Sequence, residues 1–214
     1  MRMTTTTIER PESAGFAAPR ARPVYCHPPS RPSHRGTRRA IHPENGASVS
    51  PEQQHESRTV AGSATEMVQL VLPNDGNVHG TVLGGTVMHW VDLAAAIVAN
   101  RHCRRPVVTA AFDDMAFHAP IKVGQLAILR ARLTLVDRSS MEIRVEVDSE
   151  DLLSGERRKT GTAFVTFVAL DPVTRRPTPV PPLELVTEEE KAEHVLALER
   201  RRLRLERRKT RAND

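Results

Sequence analysis

Asp92 stands in the middle of "GGTVMHWVDLAAAIVAN", residues 84–100, a run of small apolar residues long enough for a buried helix. Taking a carboxylate out of water is costly unless it is paired, hydrogen-bonded or neutralised. His89, one turn earlier, offers an ion pair; the other neighbours at three and four residues are Met88, Ala95 and Ala96. The chemical alternative is a carboxylate in an apolar pocket that works as a general base or a nucleophile. Ala95, Ala96 and Ala99 keep the helix thin, so a ligand or a second subunit can come close.

Gly84 and Gly85 open the same stretch. A glycine pair at a loop-to-helix junction is often only a tight turn, but free backbone amides there can hold an anion or a developing oxyanion. Asp92 follows about two turns later, roughly 10 Å by helix rise. One pocket or two different ones are equally open on that spacing. Asn77, in "DGNVHG", is a third candidate, although a loop asparagine ordinarily serves a turn. His79, His102 and His118 read as structural or surface residues. There is no G-x-S-x-G elbow, Walker loop, dinucleotide fingerprint or zinc motif, so no metal and no cofactor is expected.

These residues need elements to carry them. The helix is expected from about Thr86 to His102, with Arg101 and His102 as cations at its carboxyl end. Its apolar residues run nearly all the way round, so it must be covered on most sides. Strands are expected at 67–72, 106–120, 125–137, 140–148 and 160–170. In "SMEIRVEVD" Met141, Ile143, Val145 and Val147 alternate with Glu142, Arg144 and Glu146, the period-2 signature of a strand with one wet face. "TGTAFVTFVAL" is apolar on both faces, as a central strand would be. An antiparallel sheet wrapped around a central helix follows, an α+β arrangement. After a proline-rich linker, Thr187 and Glu190 form a capping box for a basic helix over 187–211, expected to dock loosely by one edge.

Of 214 residues, 39% are hydrophobic and only 3% aromatic, and 16 are proline. The deficit is uneven: residues 1–62 lack periodicity and read as a disordered extension, 63–175 as the folded domain, and 176–214 as linker and helix. The net charge of +5 leaves an anionic partner open but gathers at the ends and says little about the core; without interleaved aromatics or a recognised module in the tail, no nucleic-acid partner is expected. The two cysteines, Cys26 and Cys103, build no disulfide framework or metal-type spacing. With no apolar signal core or spanning run, a soluble cytoplasmic protein away from membranes is expected.

The stretch from "PNDGNVHGTVLGG" through "VDLAAAIVANRHC" and "VVTAAFDDMAF" to "RSSMEIRVEV" and "FVTFVAL" resembles the hot-dog acyl-CoA thioesterases. The resemblance spans about Met67 to Leu170, several motifs in order. It implies the hot-dog fold, hydrolysis of fatty acyl-CoA to free acid and CoA, and homodimers that assemble as trimers of dimers. It further implies that Asp92 activates water or attacks the thioester. Asn77 and the amides of Gly84 and Gly85 would position the carbonyl and water, with Asn77 and Asp92 contributed across a dimer interface. Thr109, Phe117, His118, Arg138, Ser139 and Ser140 would lie along the CoA arm. Two rivals stand beside this: a hydroxyacyl dehydratase using His89, and a nucleic-acid-binding protein using the basic ends.

Overall fold

The computed structural model describes residues 57–212, all within one compact unit. In chain order the elements are β1 (Arg58–Thr59), α1 (Val60–Ser63), β2 (Thr65–Leu70), α2 (Gly84–Cys103), β3 (Val107–Phe117), β4 (Leu126–Val136), β5 (Ser140–Glu150), β6 (Arg157–Ala169), β7 (Leu183–Glu184) and α3 (Glu188–Ala212). Residues 58–62, assigned to the extension from sequence, form β1 and most of α1; residues 1–56 and Cys26 lie outside the described residues.

The alternating segments become a five-stranded antiparallel sheet in the order β2-β4-β5-β6-β3. Its inner face supplies Leu129, Leu133, Ile143, Val145, Val165 and Phe167, all buried, and α2 lies against it with Val87, Trp90, Val91, Ala94 and Val98. Alternation sends every second side chain to this face, which is why the apolar pattern alone is enough to build the core.

The sheet covers only one side of α2. Met88, Leu93 and Ile97 are 40%, 43% and 38% exposed, so within one chain the expected cover on most sides is not met. The helix also starts two residues earlier than expected. Leu83 is its N-cap, and the two glycines form its first turn. At the other end Arg104 adopts a left-handed φ of 52° and its amide closes on Asn100 O. His102 is fully buried there, with no place for a cation. The Arg58 guanidinium takes that role, donating to the His102 carbonyl.

The outer face is only partly wet, with the side chains of Arg130 and Arg132 still 41% and 34% exposed, because α3 docks firmly, not loosely, over part of it. The capping box forms as expected, Glu190 N donating to Thr187 Oγ1 at 3.1 Å and Thr187 N to Glu190 Oε2 at 3.1 Å. But Val195, Leu198, Leu203 and Leu205 stay exposed, and the face turned to the sheet is Glu193, His194, Ala197, Arg200 and Arg204. Their spacing is helical and their chemistry is polar. Glu142 on β5, expected at the surface, is 1% exposed and accepts from Arg200 Nη2 at 2.9 Å and Thr134 Oγ1 at 2.9 Å. Arg144 donates to Glu193 at 2.6 Å, and Arg200 bridges back to Glu193 at 2.7 Å. Alternating signs let each charge compensate the next, the condition under which buried ions are tolerable.

Candidate active site

Asp92 occupies the middle of α2, half-buried at the margin of the helix face that the sheet leaves open. Its partner is not His89, which is exposed, but Thr109 on β3: the hydroxyl donates to Asp92 Oδ1 at 2.7 Å. A hydrogen bond to an ionised acceptor fixes the carboxylate rotamer and leaves Oδ2 open. Asp92 and Thr109 are 17 residues apart, and α2's reversal into edge strand β3 brings them together.

Asn77 sits in the loop before α2 and binds its own turn. Its Oδ1 accepts from the His79 amide at 2.9 Å, its Nδ2 donates to Thr81 Oγ1 at 3.0 Å, and its backbone N donates to Thr81 O at 2.8 Å. The loop is pinned to the body by Leu83 N to Asp75 O and Val82 N to Ile121 O, both at 2.9 Å. A side chain at Gly76 would come within 2.8 Å of Val123 Cγ2, so this close approach requires glycine. The loop therefore delivers Leu83 to α2 in one place. Among the described residues no side chain caps the first turn, which leaves the amides of exposed Gly84 and Gly85 available to donate.

Phe117, at the far end of β3, packs against this turn; a Cβ on Gly84 would lie 3.7 Å from its ring. Beside it is a cleft of about 350 Å³ walled by Gly84, Val87, Met115, Phe117, His118 and Gly161. Gly161 sits tightly here too: a Cβ would stand 3.0 Å from the Ala116 carbonyl, so β3 would have to give by a few tenths of an ångström. The sequence singles out Gly84, Phe117 and His118 on this wall and misses Val87, Met115, Val147 and Gly161. Met115 and Val147 signal only strand membership, and their meeting over Val87 depends on strand order.

Arg138, Ser139 and Ser140 form the β4–β5 turn, where Ala169 N donates to Ser139 O at 2.9 Å and Val180 N to Arg138 O at 3.1 Å. Ser140 pairs with Val168, and Val168 with Val108, so this turn lies at the Thr109 end of the sheet. The expected site residues thus fall into two groups in one chain. Asp92 and Thr109 share an end with the Arg138–Ser140 turn; Asn77, Gly84, Gly85, Phe117 and His118 gather at the other. Eight strand residues separate Thr109 from Phe117, on the order of 25 Å by strand rise. Neither group alone holds both an acid and an oxyanion donor pair.

Cys103, one helix position past His102, is a free thiol whose pKa burial raises, which keeps it protonated and unreactive. No helix among the described residues is long and apolar enough to cross a membrane.

Residues 79–156 match the thioesterase superfamily. Over 145 residues the chain is 42% identical to an uncharacterized acyl-CoA thioester hydrolase of Bacillus subtilis, covering 68% of this chain and 84% of that protein. A hexameric acyl-CoA thioesterase solved in its apo form superposes with a TM-score of 0.68 at 41% identity, over 71% of this chain and 97% of that one. The acyl-CoA hydrolase of Staphylococcus aureus, solved with butyryl-CoA, CoA and CoA disulfide, gives 0.69 at 32% identity, over 74% and 96%. That hydrolase has also been solved as three alanine variants: of an asparagine, of an aspartate fifteen positions after it, and of a threonine seventeen positions after the aspartate. Agreement that runs through nearly the whole length of these proteins places the chain in the thioesterase superfamily, as a hot-dog acyl-CoA thioester hydrolase.

Proposed function

We propose that Asp92 is the base, or the nucleophile, that hydrolyses fatty acyl-CoA, and that each site is shared between two protomers. The observation that carries this is a spacing. Asn77, Asp92 and Thr109 are separated by the same fifteen and seventeen positions as the three residues replaced in the Staphylococcus aureus hydrolase.

In the base reading, Asp92 Oδ2 takes a proton from water while Thr109 holds Oδ1. The water oxygen attacks the thioester carbon, and the oxyanion is received by the amides of Gly84 and Gly85. Collapse breaks the C–S bond, and the proton on Asp92 passes to the leaving CoA sulfur. In the nucleophile reading, Asp92 forms an anhydride that water then opens. Single-turnover hydrolysis in ¹⁸O-water tests for the anhydride: label in the Asp92 carboxylate requires the nucleophile route, with water opening the anhydride at the aspartyl carbon, whereas the base route places label only in the fatty acid.

Sharing follows from the edge. Among the described residues β3 has one unpaired side, and a second β3 laid antiparallel along it brings the Phe117 end of one protomer beside the Thr109 end of the other. Exposed Met88, Leu93, Ile97 and Val108 give the contact an apolar surface. Asn77, which fixes the glycine turn, then serves an Asp92 of the partner. The cleft beside Gly84 takes the acyl chain, and Arg138, Ser139 and Ser140, with His118, flank the CoA arm. Dimers of this kind assemble further as trimers of dimers, the order matching the hexameric relative. The reducing cytoplasm suits the free thiol of Cys103, and the chain divides into an N-terminal extension, a folded domain that takes in β1 and α1, and a C-terminal linker with α3. The arginines of α3 from Arg200 to Arg204 already meet carboxylates, which disfavours a nucleic-acid role. Steady-state hydrolysis of an acyl-CoA series by wild-type and Asp92→Asn protein tests the assignment; unchanged turnover in the variant would remove it.

A further inference from the structure

β3 keeps step with β6 in three registers. Val107–Thr109 face Ala169–Phe167, Ala111 and Phe112 face Thr166 and Val165, and Asp114–Phe117 face Phe164–Gly161. Ala110 and Asp113 are the extra residues, and each one-residue insertion reverses the face taken by the side chains after it. Phe112 and Met115 both pack on the core although they are three apart, which strict alternation forbids. Asp113 is the reason.

Its carboxylate stays on the outer face, where it accepts from Thr166 Oγ1 of β6 at 2.9 Å and from Arg204 of α3. Both side chains of the Arg204–Asp113 pair are only 13% exposed, and the same guanidinium reaches Glu142 at 3.4 Å. Immediately beyond the bulge come Met115 and Phe117, which wall the cleft. Had β3 continued in the register of Phe112, both would point away from α2.

We propose that Arg204 is a positioning residue for acyl-chain specificity: by holding Asp113 on the outer face it locks the bulge that turns Met115 and Phe117 into the cleft. This rests on the cleft being the acyl-chain site. α3 thereby shapes the site from the opposite side of the sheet without touching substrate. Without the guanidinium, Asp113 gains by turning toward water, and the cheapest path is a slip of β3 that rotates Met115 and Phe117 outward.

The test uses the full chain, with acetyl-, butyryl- and octanoyl-CoA as probes, together with hydrogen exchange over residues 107–117. Arg204→Met keeps the aliphatic stem and removes the charge. It is expected to lower the octanoyl-to-acetyl ratio of kcat/KM roughly tenfold, through KM more than kcat, as weakened hydrophobic discrimination does. Exchange should rise over Phe112–Phe117 while the other strands keep their protection. Arg204→Lys should restore most of the ratio, and Asp113→Asn should lower it with no further loss when combined with Arg204→Met. If Arg204→Met does not fold, Asp113→Asn alone carries the same expectation. An unchanged ratio in these variants, or an equal fall on all three substrates without local exchange, would overturn the proposal. Phe117→Ala and Met115→Ala distinguish the two levels: an unchanged ratio in both would overturn the cleft as acyl-chain site and this inference with it.

Discussion

The hydroxyl of Thr109, 2.7 Å from Asp92 Oδ1, is the contact on which the proposed chemistry turns. Replacing Asp92 by Asn keeps size and packing but removes the base, so turnover should fall by roughly 10²–10⁴-fold with the fold unchanged. Thr109→Val should cost less, on the order of tenfold in kcat, because only one hydrogen bond to a charged acceptor is lost. Stopped-time product assays on both variants check the ranking, and a Thr109→Val loss exceeding that of Asp92→Asn would refute it. Asp92 was legible from sequence because a charge in an apolar run needs a reason. Thr109 was not legible in that way: one threonine in a strand has no signal of its own, and it entered through resemblance. Its pairing with Asp92 is set by the turn from α2 into β3, a tertiary fact.

At the scale of the element, α3 and the carboxyl end of α2 show where sequence patterns mislead. Amphipathic logic looks for an apolar stripe, and α3 docks through a polar one, so its burial of Glu142 left no trace in hydrophobic periodicity. Arg200→Met would leave Glu142 short of its closest cation, and breaking a buried pair on one side costs about 3–5 kcal/mol. Chemical denaturation should show that loss, and a change below about 1 kcal/mol would mean the surface-pair value applies instead. His102 makes a separate prediction. Burial, opposed by its bond to the Pro181 carbonyl and aided by the Arg58 charge, lowers its pKa below 6.5. Nε2–H donates to Pro181 O at 2.9 Å, and Nδ1 is buried with no hydrogen-bond partner among the described residues. The unfolded chain therefore binds a proton that the native state refuses. Stability should be level above about pH 6.5 and decline as the pH falls below it. Denaturation midpoints at pH 7.5 and 5.5 should differ in wild type, and His102→Gln should narrow that difference.

Across the whole molecule, the strands and the central helix could be read from periods of 2 and 3.6, because one buried face imposes both patterns. Strand order could not, since nothing local tells β3 that it will end on the edge beyond β6. The incomplete cover of α2 supports the proposal that two protomers make the working unit: Met88, Leu93 and Ile97 lie open beside Asp92. On the same proposal, Asp92 and the glycine turn sit on one helix but serve different sites. Mixing two inactive proteins, Asp92→Asn and Asn77→Ala, under conditions where tagged wild-type subunits are seen to exchange, tests this most directly. In a mixed dimer one site carries both substitutions and the other neither, so random exchange should restore about a quarter of wild-type activity. Activity that stays at the level of the separate variants, with exchange complete, would contradict a site built from two protomers.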